Sequence, residues 1–459
     1  MAALRHRLES ALASRQARGM LRSLAPLAED SDEPPLVDFS SNDYLSFAQS
    51  PLLRAKLIEA LADPSKPSPF GPPSSRLLDG NSRAHLELEH ALAAFFRAPN
   101  GGALVFNSGF DANVGVWTSL PGPNDLILYD SLVHASIHDG MRASRVPRSR
   151  RIEFRHNSLP DLESQLDRVR KELLLDSTDA SVWIAVESLY SMDGDQCPLE
   201  AIVDLVERKL PPGTGHVVVD EAHSTGLYGD QGRGLVSALG LEDRVAVRLH
   251  TFGKALACSG AVVLATPLIR QYLVNYARPL IYSTVTPHMN VQAMACAIEM
   301  LAQGHGDGPR RRVHQLASLL VSSLGDVLGP GSPVSLPRHL VAVASSSSSS
   351  RPHSRSSRVP TTSSIVPLLT ASPRPLSAFL RERGYLVRPI TYPTVPRGME
   401  RVRVCLHAGN SRDEILGLVD GVRAWIERDH PVGVEPARPP PPPPRASPSL
   451  EPGSIRARL

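Results

Sequence analysis

Residues 248–265 read Arg-Leu-His-Thr-Phe-Gly-Lys-Ala-Leu-Ala-Cys-Ser-Gly-Ala-Val-Val-Leu-Ala and hold a lysine between two short apolar runs. The runs Val245–Leu249 and Ala261–Ala265 are predicted to be strands, so Lys254 lies in a tight loop with a glycine on each side. A lysine held in such a loop can be partly withdrawn from water, which lowers the pKa of its amine and frees it to form a Schiff base. A lone loop lysine is ordinarily a solvated surface residue, so the stretch predicts chemistry only together with a second signal.

The second signal lies upstream at residues 217–226, which read Val-Val-Val-Asp-Glu-Ala-His-Ser-Thr-Gly. The valines fit a buried parallel strand, and Asp220 and His223 follow at its carboxyl end. Because ligands bind at the carboxyl ends of the strands in open α/β sheets, we expect both side chains to face the same crevice as Lys254. A Schiff-base lysine and a carboxylate that keeps a pyridine nitrogen protonated are what pyridoxal phosphate requires. The two stretches together predict that cofactor.

A phosphate site is predicted at residues 107–113, Asn-Ser-Gly-Phe-Asp-Ala-Asn, which follow the short apolar run Ala103–Phe106. The chain is expected to leave a strand here and enter a helix, so the backbone N–H groups of Gly109 and Phe110 would lie at a helix N-terminus. Such a terminus binds phosphate through its free donors and the positive end of its dipole. Small residues also begin helices simply as caps, without binding a ligand. The presence of Lys254 and Asp220 in the same chain favours the phosphate site.

The order of apolar runs predicts the fold class. Apolar strands alternate with helical stretches from about residue 85 to residue 265, which indicates an α/β fold with a mainly parallel, doubly wound sheet. Helices are also predicted at Leu4–Leu24 and Val291–Leu328 from the spacing of their apolar residues. Towards the carboxyl end, Arg401–His407 alternates as a half-buried strand does.

The overall composition argues against several classes of partner. Lysine and arginine total 49 against 46 acidic residues, and this net charge of +3 gives no indication of nucleic-acid binding. No apolar run approaches the ~20 residues of a membrane-spanning helix. Asp193 and Asp195 are interpreted as turn residues, because two carboxylates without further ligands make a poor metal site. The cysteines also lack metal-ligand spacing: Cys197, Cys258, Cys296 and Cys405. We therefore expect no metal, no nucleic acid and no membrane partner.

Four stretches together resemble the α-oxoamine synthases, pyridoxal-phosphate enzymes of fold type I. They are Thr251-Phe-Gly-Lys-Ala255, Val219-Asp-Glu-Ala-His-Ser-Thr-Gly226, Ser191-Met-Asp-Gly-Asp195 and Tyr392-Pro-Thr-Val-Pro396. The resemblance runs from about Leu4 to Glu427. It implies a large domain with a mainly parallel seven-stranded sheet and a smaller α+β C-terminal domain. It also implies that the strand after Lys254 is antiparallel.

The resemblance and the composition together predict how the chain is divided. We expect an N-terminal helix and strand segment at 1–45, a large cofactor-binding domain at 46–300 and a small domain at 301–430. The serine-rich segment 344–364 cannot bury enough apolar surface to order itself, and we expect a disordered surface insertion between two strands. Residues 431–459 are expected to form a disordered, proline-rich tail.

The last three residues, Ala457-Arg458-Leu459, resemble the Ser-Lys-Leu type of peroxisomal address. A receptor-read address needs an exposed, disordered tail, which the predicted C-terminal segment supplies. We therefore expect peroxisomal localisation through an import receptor, with the cytoplasm as the alternative.

The resemblance also implies a role for each residue of the cofactor site. Lys254, His134, Asp220 and His223 would be catalytic, with Asp220 on the pyridine nitrogen and His134 stacked on the ring. Ser283 and Thr284 would reach the cofactor phosphate of a neighbouring subunit, which implies a homodimer with shared active sites. The full set implied to contact the cofactor is Gly109, Phe110, His134, Ser191, Asp220, His223, Thr251, Lys254, Ser283 and Thr284.

Substrate contacts are implied in the same way for Arg22, Asn42, Thr394 and Arg403. Arg403 would hold the amino-acid carboxylate, which a guanidinium can bind through two parallel hydrogen bonds. The chain departs from the family in two places. An arginine found three residues before the threonine in some relatives is Thr391 here, with Arg388 as a nearby substitute. The loop Gly71-Pro-Pro-Ser-Ser-Arg76 lacks the usual glycines, which leaves the acyl-chain preference open.

The implied reaction is a decarboxylative condensation of an amino acid with an acyl-CoA. L-Alanine and pimeloyl-CoA, the substrates of a step in biotin synthesis, are the favoured pair. Three alternatives stay open: another member of the family that uses glycine or serine with a different acyl-CoA, a pyridoxal-phosphate aminotransferase or lyase of the same fold, and a catalytically silent subunit. The presence of Lys254 argues against the silent subunit.

Overall fold

The structure is a computed structural model that describes residues 2–22, 24, 35–176, 180–345 and 359–429. Most of the predicted insertion, the proline-rich tail and the C-terminal tripeptide lie outside the described residues. Strands in the described ranges are, in chain order, β1 (Val37–Asp38), β2 (Ala103–Phe106), β3 (Leu126–Asp130), β4 (Arg151–Phe154), β5 (Val182–Glu187), β6 (Gly215–Asp220), β7 (Val247–Thr251), β8 (Ala261–Leu264), β9 (Ile365–Leu369), β10 (Tyr385–Leu386), β11 (Arg388–Ile390) and β12 (Arg401–Cys405).

Helices surround these strands. In the described ranges they are α1 (Ala2–Ala17), α2 (Pro51–Ala62), α3 (Arg83–Phe95), α4 (Gly109–Ser119), α5 (Ala135–Ala143), α6 (Leu159–Asp176), α7 (Leu199–Lys209), α8 (Leu235–Leu239), α9 (Pro267–Tyr276), α10 (Arg278–Ile281), α11 (His288–Ala302), α12 (Asp307–Gly325), α13 (Arg338–Ser345), α14 (Pro373–Arg381) and α15 (Arg412–Asp429). No helix in the described part of the chain is both long and apolar enough to cross a bilayer.

Seven strands form the central sheet, in the order β2-β8-β7-β6-β5-β3-β4. The pairs from β7 to β4 are all parallel. β8 is antiparallel to both of its neighbours, β7 and β2. This architecture confirms the predicted mainly parallel, seven-stranded sheet with an antiparallel strand after the lysine loop.

Both faces of this sheet are covered, which explains why strands such as β2, β5 and β8 are nearly continuous apolar runs. In β5, Val182, Ile184 and Val186 belong to one buried cluster, while Trp183 and Ala185 belong to a second cluster on the opposite face. A strand buried on both sides has no solvent face and therefore does not alternate. Full burial of each aliphatic side chain stabilises the fold by ~1.5–3 kcal/mol.

A smaller sheet, β11-β12-β9, lies in the C-terminal part of the chain and is antiparallel throughout. It has its own apolar cluster, which includes Phe39 from the N-terminal segment. β1 extends this association, because it pairs in parallel with β10 through Val37↔Tyr385 and Asp38↔Leu386. The N-terminal segment therefore packs with the small C-terminal unit. The domain boundaries given above stay a prediction.

Two predicted helices have different bounds in the structure. α1 ends at Ala17 rather than at Leu24, and the three leucines of its first turns remain exposed: Leu4, Leu8 and Leu12. The predicted helix Val291–Leu328 is two helices, because Gly304 has a φ of +83°, outside helical backbone conformation, and separates α11 from α12. Apolar spacing continued across this break and concealed it.

The prediction for segment 344–364 was wrong at both edges. Residue Ser345 is the last of α13, so the segment follows a helix rather than a strand. At the other edge, Thr362, Ser363 and Ser364 are almost completely buried next to β9. The Ser363 hydroxyl accepts a hydrogen bond from the Ile365 N–H, so this end of the segment is packed against β9 instead of forming a solvated loop. Residues 346–358 lie outside the described residues.

Candidate active site

The candidate site lies at the carboxyl edge of the central sheet, where β5, β6 and β7 end side by side. Glu187 ends β5 and is the register partner of Asp220, which ends β6. Thr251 ends β7, and Lys254 follows three residues later. Parallel pairing therefore brings these four side chains to one edge, as the sequence predicted for the lysine and the aspartate.

The loop that carries Lys254 is tightly closed. The Ala257 N–H donates to the Lys254 carbonyl at 2.9 Å, and the Cys258 N–H donates to the Phe252 carbonyl at 2.8 Å. The Lys254 side chain is half-buried. Its burial lowers the pKa, the charge of Arg403 lowers the pKa further, and Asp220 and Glu187 oppose this shift. The amine therefore gives up its proton more readily than a surface lysine does.

Asp220 is fixed by hydrogen bonds on both carboxylate oxygens. Asn113 Nδ2 donates to Asp220 Oδ2 at 2.8 Å, and the Ala222 N–H donates to Oδ1 at 2.9 Å. Asn113 also donates to Ser136 Oγ at 3.0 Å, and that oxygen lies 2.7 Å from His134 Nδ1. One chain of hydrogen bonds thus orients the predicted pyridine-binding carboxylate and the predicted stacking histidine together.

Helix α4 begins at the predicted phosphate site. Ser108 is its N-cap, with its hydroxyl accepting from the Asp111 N–H at 3.0 Å. The N–H groups of Gly109 and Phe110, in the first turn, have no carbonyl within the helix to donate to. The Phe110 ring is exposed and lies edge-on to the His134 ring, with their centroids 6.4 Å apart. The crevice therefore has N–H donors that can bind an anion, and the rings of Phe110 and His134 line it.

His223 lies behind the crevice and is held by Tyr44. The Tyr44 hydroxyl is 2.7 Å from His223 Nδ1 and donates to Asn42 Oδ1 at 3.0 Å. Burial lowers the pKa of His223 well below its ordinary value, and the charges of Lys254 and Arg403 act in the same direction. The imidazole is therefore neutral.

Arg403 reaches the same crevice from the small sheet. Its Nε donates to the Ser191 carbonyl at 2.7 Å, and its Nη2 donates to Asn42 Oδ1 at 3.1 Å and to the Tyr44 hydroxyl oxygen at 3.3 Å. Three residues predicted to contact substrate or cofactor are thereby assembled: Asn42, Ser191 and Arg403.

The strand that carries Arg403 is not half-buried, as its alternation had indicated. All five residues of β12 are buried. Val402 and Val404 face the small apolar core, while Arg401 and Arg403 face the turn at residues 191–195. The polar face is covered by another part of the protein rather than by water, and alternation alone cannot distinguish these two cases.

Side-chain ion pairs hold the turn at residues 191–195 on two sides. Arg401 Nη1 donates to Asp193 Oδ1 at 2.7 Å. His156 bridges Asp195 Oδ2 at 2.7 Å and Asp130 Oδ1 at 2.9 Å. The two aspartates, interpreted from the sequence as plain turn residues, are therefore ion-pair partners. The described residues contain no group of histidine, cysteine and acidic side chains that could hold a metal ion.

Sequence reasoning missed Glu187. Its carboxyl accepts a hydrogen bond from the His134 backbone N–H, and its Oε1 is buried without a partner in the described part of the chain. Burial raises its pKa well above the ordinary value, and the neighbouring Asp220 raises it further. Its position as the last residue of an apolar run, where a crevice was already expected, was the available signal.

Several predicted contacts are not assembled within this one chain. Arg22 is exposed after the end of α1, and Thr394 is exposed after β11. Ser283 and Thr284 line a small cavity with Arg76 and Asn107, and Asn107 Nδ2 donates to the Thr284 carbonyl at 2.8 Å. These placements leave the predicted roles of the four residues untested.

The structure also bears on the arginine that Thr391 replaces. Arg388 Nε donates to Ser40 Oγ at 3.1 Å, so this side chain is directed at the N-terminal segment. Arg374, on α14, instead lies 3.5 Å from the Thr391 hydroxyl and also donates to the Gly19 carbonyl. The guanidinium nearest to Thr391 in these contacts comes from a residue that the sequence analysis did not single out.

These residues fit pyridoxal phosphate. The lysine amine has a lowered pKa, the carboxylate of Asp220 is fixed, and the N-terminus of α4 supplies unpaired N–H groups. The unpartnered Oε1 of Glu187 is a further polar atom left for a ligand. Each part of the cofactor therefore has a group of matching chemistry: aldehyde with amine, ring nitrogen with carboxylate, phosphate with helix N-terminus.

Comparison with known proteins gives concordant results. Residues 34–422 match the family described as Aminotransferase class I and II. The 8-amino-7-oxononanoate synthase of Emericella nidulans is 43% identical over 426 residues, which cover 93% of this chain and 96% of that protein. The aminoacyl transferase sphA of Aspergillus fumigatus is 36% identical over 392 residues, which cover 83% of this chain and 79% of that protein. A solved serine palmitoyltransferase from S. paucimobilis with bound PLP is 25% identical, with a TM-score of 0.73. The match covers 92% of this chain and 97% of that chain.

Proposed function

Because the chain belongs to the class I and II aminotransferase family, and within it to the α-oxoamine synthases, we propose that it condenses L-alanine with pimeloyl-CoA to give 8-amino-7-oxononanoate, CoA and CO2. Membership of this family makes the protein an acyltransferase that depends on pyridoxal phosphate. The choice of L-alanine and pimeloyl-CoA is supported by the similarity to the synthase from Emericella nidulans.

The observation that carries the proposal is the convergence of Arg403 with Lys254 and Asp220. The buried guanidinium of Arg403 is held by Ser191 and Asn42 and is close enough to lower the pKa of Lys254, adding to the effect of burial. A fixed guanidinium suits a carboxylate, and a deprotonated amine suits removal of a proton. This pairing fits an α-amino acid as one substrate.

Each group has a proposed part in the reaction. Pyridoxal phosphate, when bound, supplies an electron sink for negative charge on the substrate α-carbon. Lys254 would hold it, Asp220 would pair with its ring nitrogen, and the N-terminus of α4 would bind its phosphate. Arg403 would bind the amino-acid carboxylate and fix the α-carbon. When the amino group of the substrate replaces Lys254 on the cofactor, the freed Nζ of Lys254 would take the α-proton. Loss of the proton allows the α-carbon to attack the thioester, and CoA leaves as the thiol. The resulting β-keto acid then loses its carboxylate as CO2, and the α-carbon takes up a proton to give the amino ketone.

The two histidines are proposed to orient the reacting groups. His223 is neutral and fixed by Tyr44, so it can accept or donate a hydrogen bond without bringing another charge beside Lys254. His134 lies exposed at the crevice opposite Phe110, where a flat ring can cover a planar ligand.

A shared active site is proposed from Ser283 and Thr284. Both belong to the segment after α10, and Thr284 is exposed in the single chain. We propose, as the family resemblance implies, that they contact the cofactor phosphate bound by a second copy of the chain. The enzyme is therefore proposed to act as a homodimer, and the remaining predicted contacts, Arg22 and Thr394, as substrate-binding residues.

Peroxisomal localisation is proposed from the C-terminal tripeptide Ala457-Arg458-Leu459. A fluorescent fusion that keeps the tripeptide at its free carboxyl end should collect in peroxisomes. A matched fusion in which Leu459 is followed by one added alanine should stay in the cytoplasm. Equal distribution of the two fusions would exclude the address.

The proposed reaction is tested by release of free CoA thiol from pimeloyl-CoA when L-alanine is added. Wild-type protein should show the visible absorbance of bound cofactor and alanine-dependent thiol release. Lys254→Ala should lose both, with a fall in rate of about 10³-fold or more. Thiol release with serine or glycine, or with another acyl-CoA only, would keep the family and reject the substrate pair.

A further inference from the structure

A cavity of about 550 Å³ lies outside the crevice described above. It is bounded by the end of α1, the start of α14 and the chain that follows β11. Six of its residues matter here: Arg18, Arg374, Thr391, Tyr392, Arg397 and Glu400. The cavity therefore joins the N-terminal helix to the small C-terminal unit.

The cavity carries unbalanced positive charge. Three of its side chains are guanidiniums and one, Glu400, is a carboxylate, which already accepts a hydrogen bond from the Gly398 N–H at 2.8 Å. Arg18 donates to the Ser14 carbonyl at 3.0 Å, and Arg397 lies 4.8 Å from the centre of the Tyr392 ring. In the described ranges, none of the three arginines forms an ion pair with an acidic side chain, and their mutual repulsion favours an anion between them.

The cavity lies within reach of the proposed amino-acid site. β11 pairs with β12 so that Arg388 is opposite Arg403, and Thr391 comes three residues after Arg388. At ~3.4 Å per residue, Ile390 at the end of β11 lies ~7 Å along the strand from the position opposite Arg403, and Thr391 follows it directly. A substrate chain that starts at the amino-acid site and runs along β11 would enter the cavity.

We propose that this cavity binds an anionic group of the acyl-CoA substrate, with Arg374 as its principal donor and Arg18 and Arg397 beside it. Arginine presents several N–H donors in a fixed plane and binds carboxylates and phosphates through paired hydrogen bonds. The inference rests on the proposed function, because it assigns the acyl donor of that same reaction. It also explains how the chain can lack the arginine that some relatives have at position 391. The Arg374 guanidinium lies beside the Thr391 hydroxyl and supplies a positive charge there.

The anionic group has two sources in an acyl-CoA. One is the terminal carboxylate of a dicarboxylic acyl chain, and the other is the phosphates of CoA. The short separation from Arg403 favours the terminal carboxylate, because the CoA phosphates lie beyond the long pantetheine arm. The two sources predict different specificity when the arginines are removed.

The test compares pimeloyl-CoA with heptanoyl-CoA, which has the same chain length and no terminal carboxylate. Arg374→Gln and Arg397→Gln are measured beside Arg381→Gln, a control from the same helix as Arg374. If the cavity binds the terminal carboxylate, the first two variants raise the KM for pimeloyl-CoA about tenfold, as loss of one charge-assisted hydrogen bond does. The KM for heptanoyl-CoA and for the amino acid should not change.

An equal rise of KM for both thioesters would assign the site to the CoA phosphates. No change in either KM would overturn the proposal. Arg374 also contacts Gly19 at the end of α1, so thermal unfolding is recorded for each variant. Arg397→Gln keeps that contact and so separates lost binding from a displaced helix.

Binding measured by calorimetry decides the proposal separately from turnover. Pimelate and CoA are each titrated into wild type, Arg374→Gln and the Arg381→Gln control. Weaker binding of either ligand to Arg374→Gln alone supports the site, even in a protein that proves inactive with pimeloyl-CoA. Equal binding to all three proteins rejects it, whatever reaction the enzyme catalyses.

Discussion

At the scale of single residues, the crevice contains charges whose burial is costly unless each has a partner. Asp220 is paired with the Asn113 amide, and Arg403 is paired with a carbonyl and an amide oxygen. Glu187 forms no ion pair in the described part of the chain and shares its edge of the sheet with Asp220, so burial and Asp220 raise its pKa well above the ordinary value, against the opposing effect of Lys254.

Glu187→Gln tests the effect of this raised pKa on stability. Because the raised pKa means that ionisation of the buried acid costs stability, wild type should lose stability as pH rises above the ordinary range of a glutamic acid. The glutamine keeps the shape and cannot ionise, so the variant should be at least as stable as wild type at pH 8. It should also keep its affinity for pyridoxal phosphate.

Thermal unfolding at pH 5 and pH 8, with cofactor affinity from absorbance, checks both expectations. Glu187→Ala is the comparison, because it leaves the His134 N–H without its acceptor and should cost ~1–3 kcal/mol. A large fall in cofactor affinity with glutamine would show that the charged carboxylate is required.

At the scale of elements, the turn at residues 191–195 connects the two sheets. It receives Arg401 and Arg403 from β12, and His156 holds it from the end of β4. Gly194 permits the close approach, with a φ of +67° and no space for a side chain next to the Ile365 carbonyl. The position of Arg403 therefore depends on the turn as well as on its own strand.

Replacement of Gly194 by alanine should be severely destabilising. The added methyl group would overlap the Ile365 carbonyl oxygen at the start of β9 and would strain the positive φ. Gly213→Ala is the matched control, because Gly213 also has a positive φ, +80°, and has nothing within 4 Å of the added atom. Chemical denaturation should give a loss several-fold larger for Gly194→Ala, and equal losses would contradict the close approach.

His156 should make the stability of the protein depend on pH in the alkaline range. The Asp130 and Asp195 carboxylates raise its pKa to about 10 against the opposing effect of burial. A raised histidine pKa stabilises fully below its ordinary value of ~6.5, and this stabilisation is lost as pH rises towards the folded value. Wild type should therefore lose stability between pH 7 and pH 10, by at most ~1.4 kcal/mol per pH unit.

His156→Gln should be less stable than wild type at pH 7, and its free energy of unfolding should change little between pH 7 and pH 10. The comparison is made by urea denaturation at several pH values. His339, Tyr190, Cys197 and Asn157 also lie near the cluster, and none of them is altered by the change. The same alkaline slope in His156→Gln would show that the bridge is not the group responsible.

At the scale of the whole molecule, two sheets with separate apolar cores meet at the crevice. The N-terminal segment crosses between them, since β1 pairs with β10 while Tyr44 contacts His223 of the large sheet. Each sheet alone provides only part of the site. A shift of one relative to the other would move Arg403 away from Lys254 and Asp220.

The proposed shared site can be tested by mixing two inactive variants. Lys254→Ala lacks the lysine, and Thr284→Glu would place negative charge against the phosphate of the other subunit. A mixed dimer contains one site with native Lys254 and native Thr284. Co-expression with two affinity tags should restore thiol release, up to the activity of one site per dimer. Absence of recovery in a purified mixed dimer would contradict sharing.

Much of the large sheet and of the cofactor site could be predicted from the sequence. Ala103–Phe106 was predicted with both bounds correct, and the strands that end at Asp220 and Thr251 were placed within two residues. Continuous valine runs and a lysine between glycines are local signals. The bounds of α1, the break at Gly304 and the burial of Ser363 and Ser364 depend on what packs against them, and local signals do not contain that information.

The sequence by itself determined which groups are available: a lysine loop, an aspartate at the end of a valine strand, a helix N-terminus and an arginine strand. Only the tertiary structure decided their neighbours. It joined Glu187 to Asp220, bridged Asp195 to Asp130 through His156, and brought Arg374 to Thr391. The physical reason is that strand propensity and apolar spacing are properties of adjacent residues, whereas the cost of a buried charge is set by groups far away in the chain.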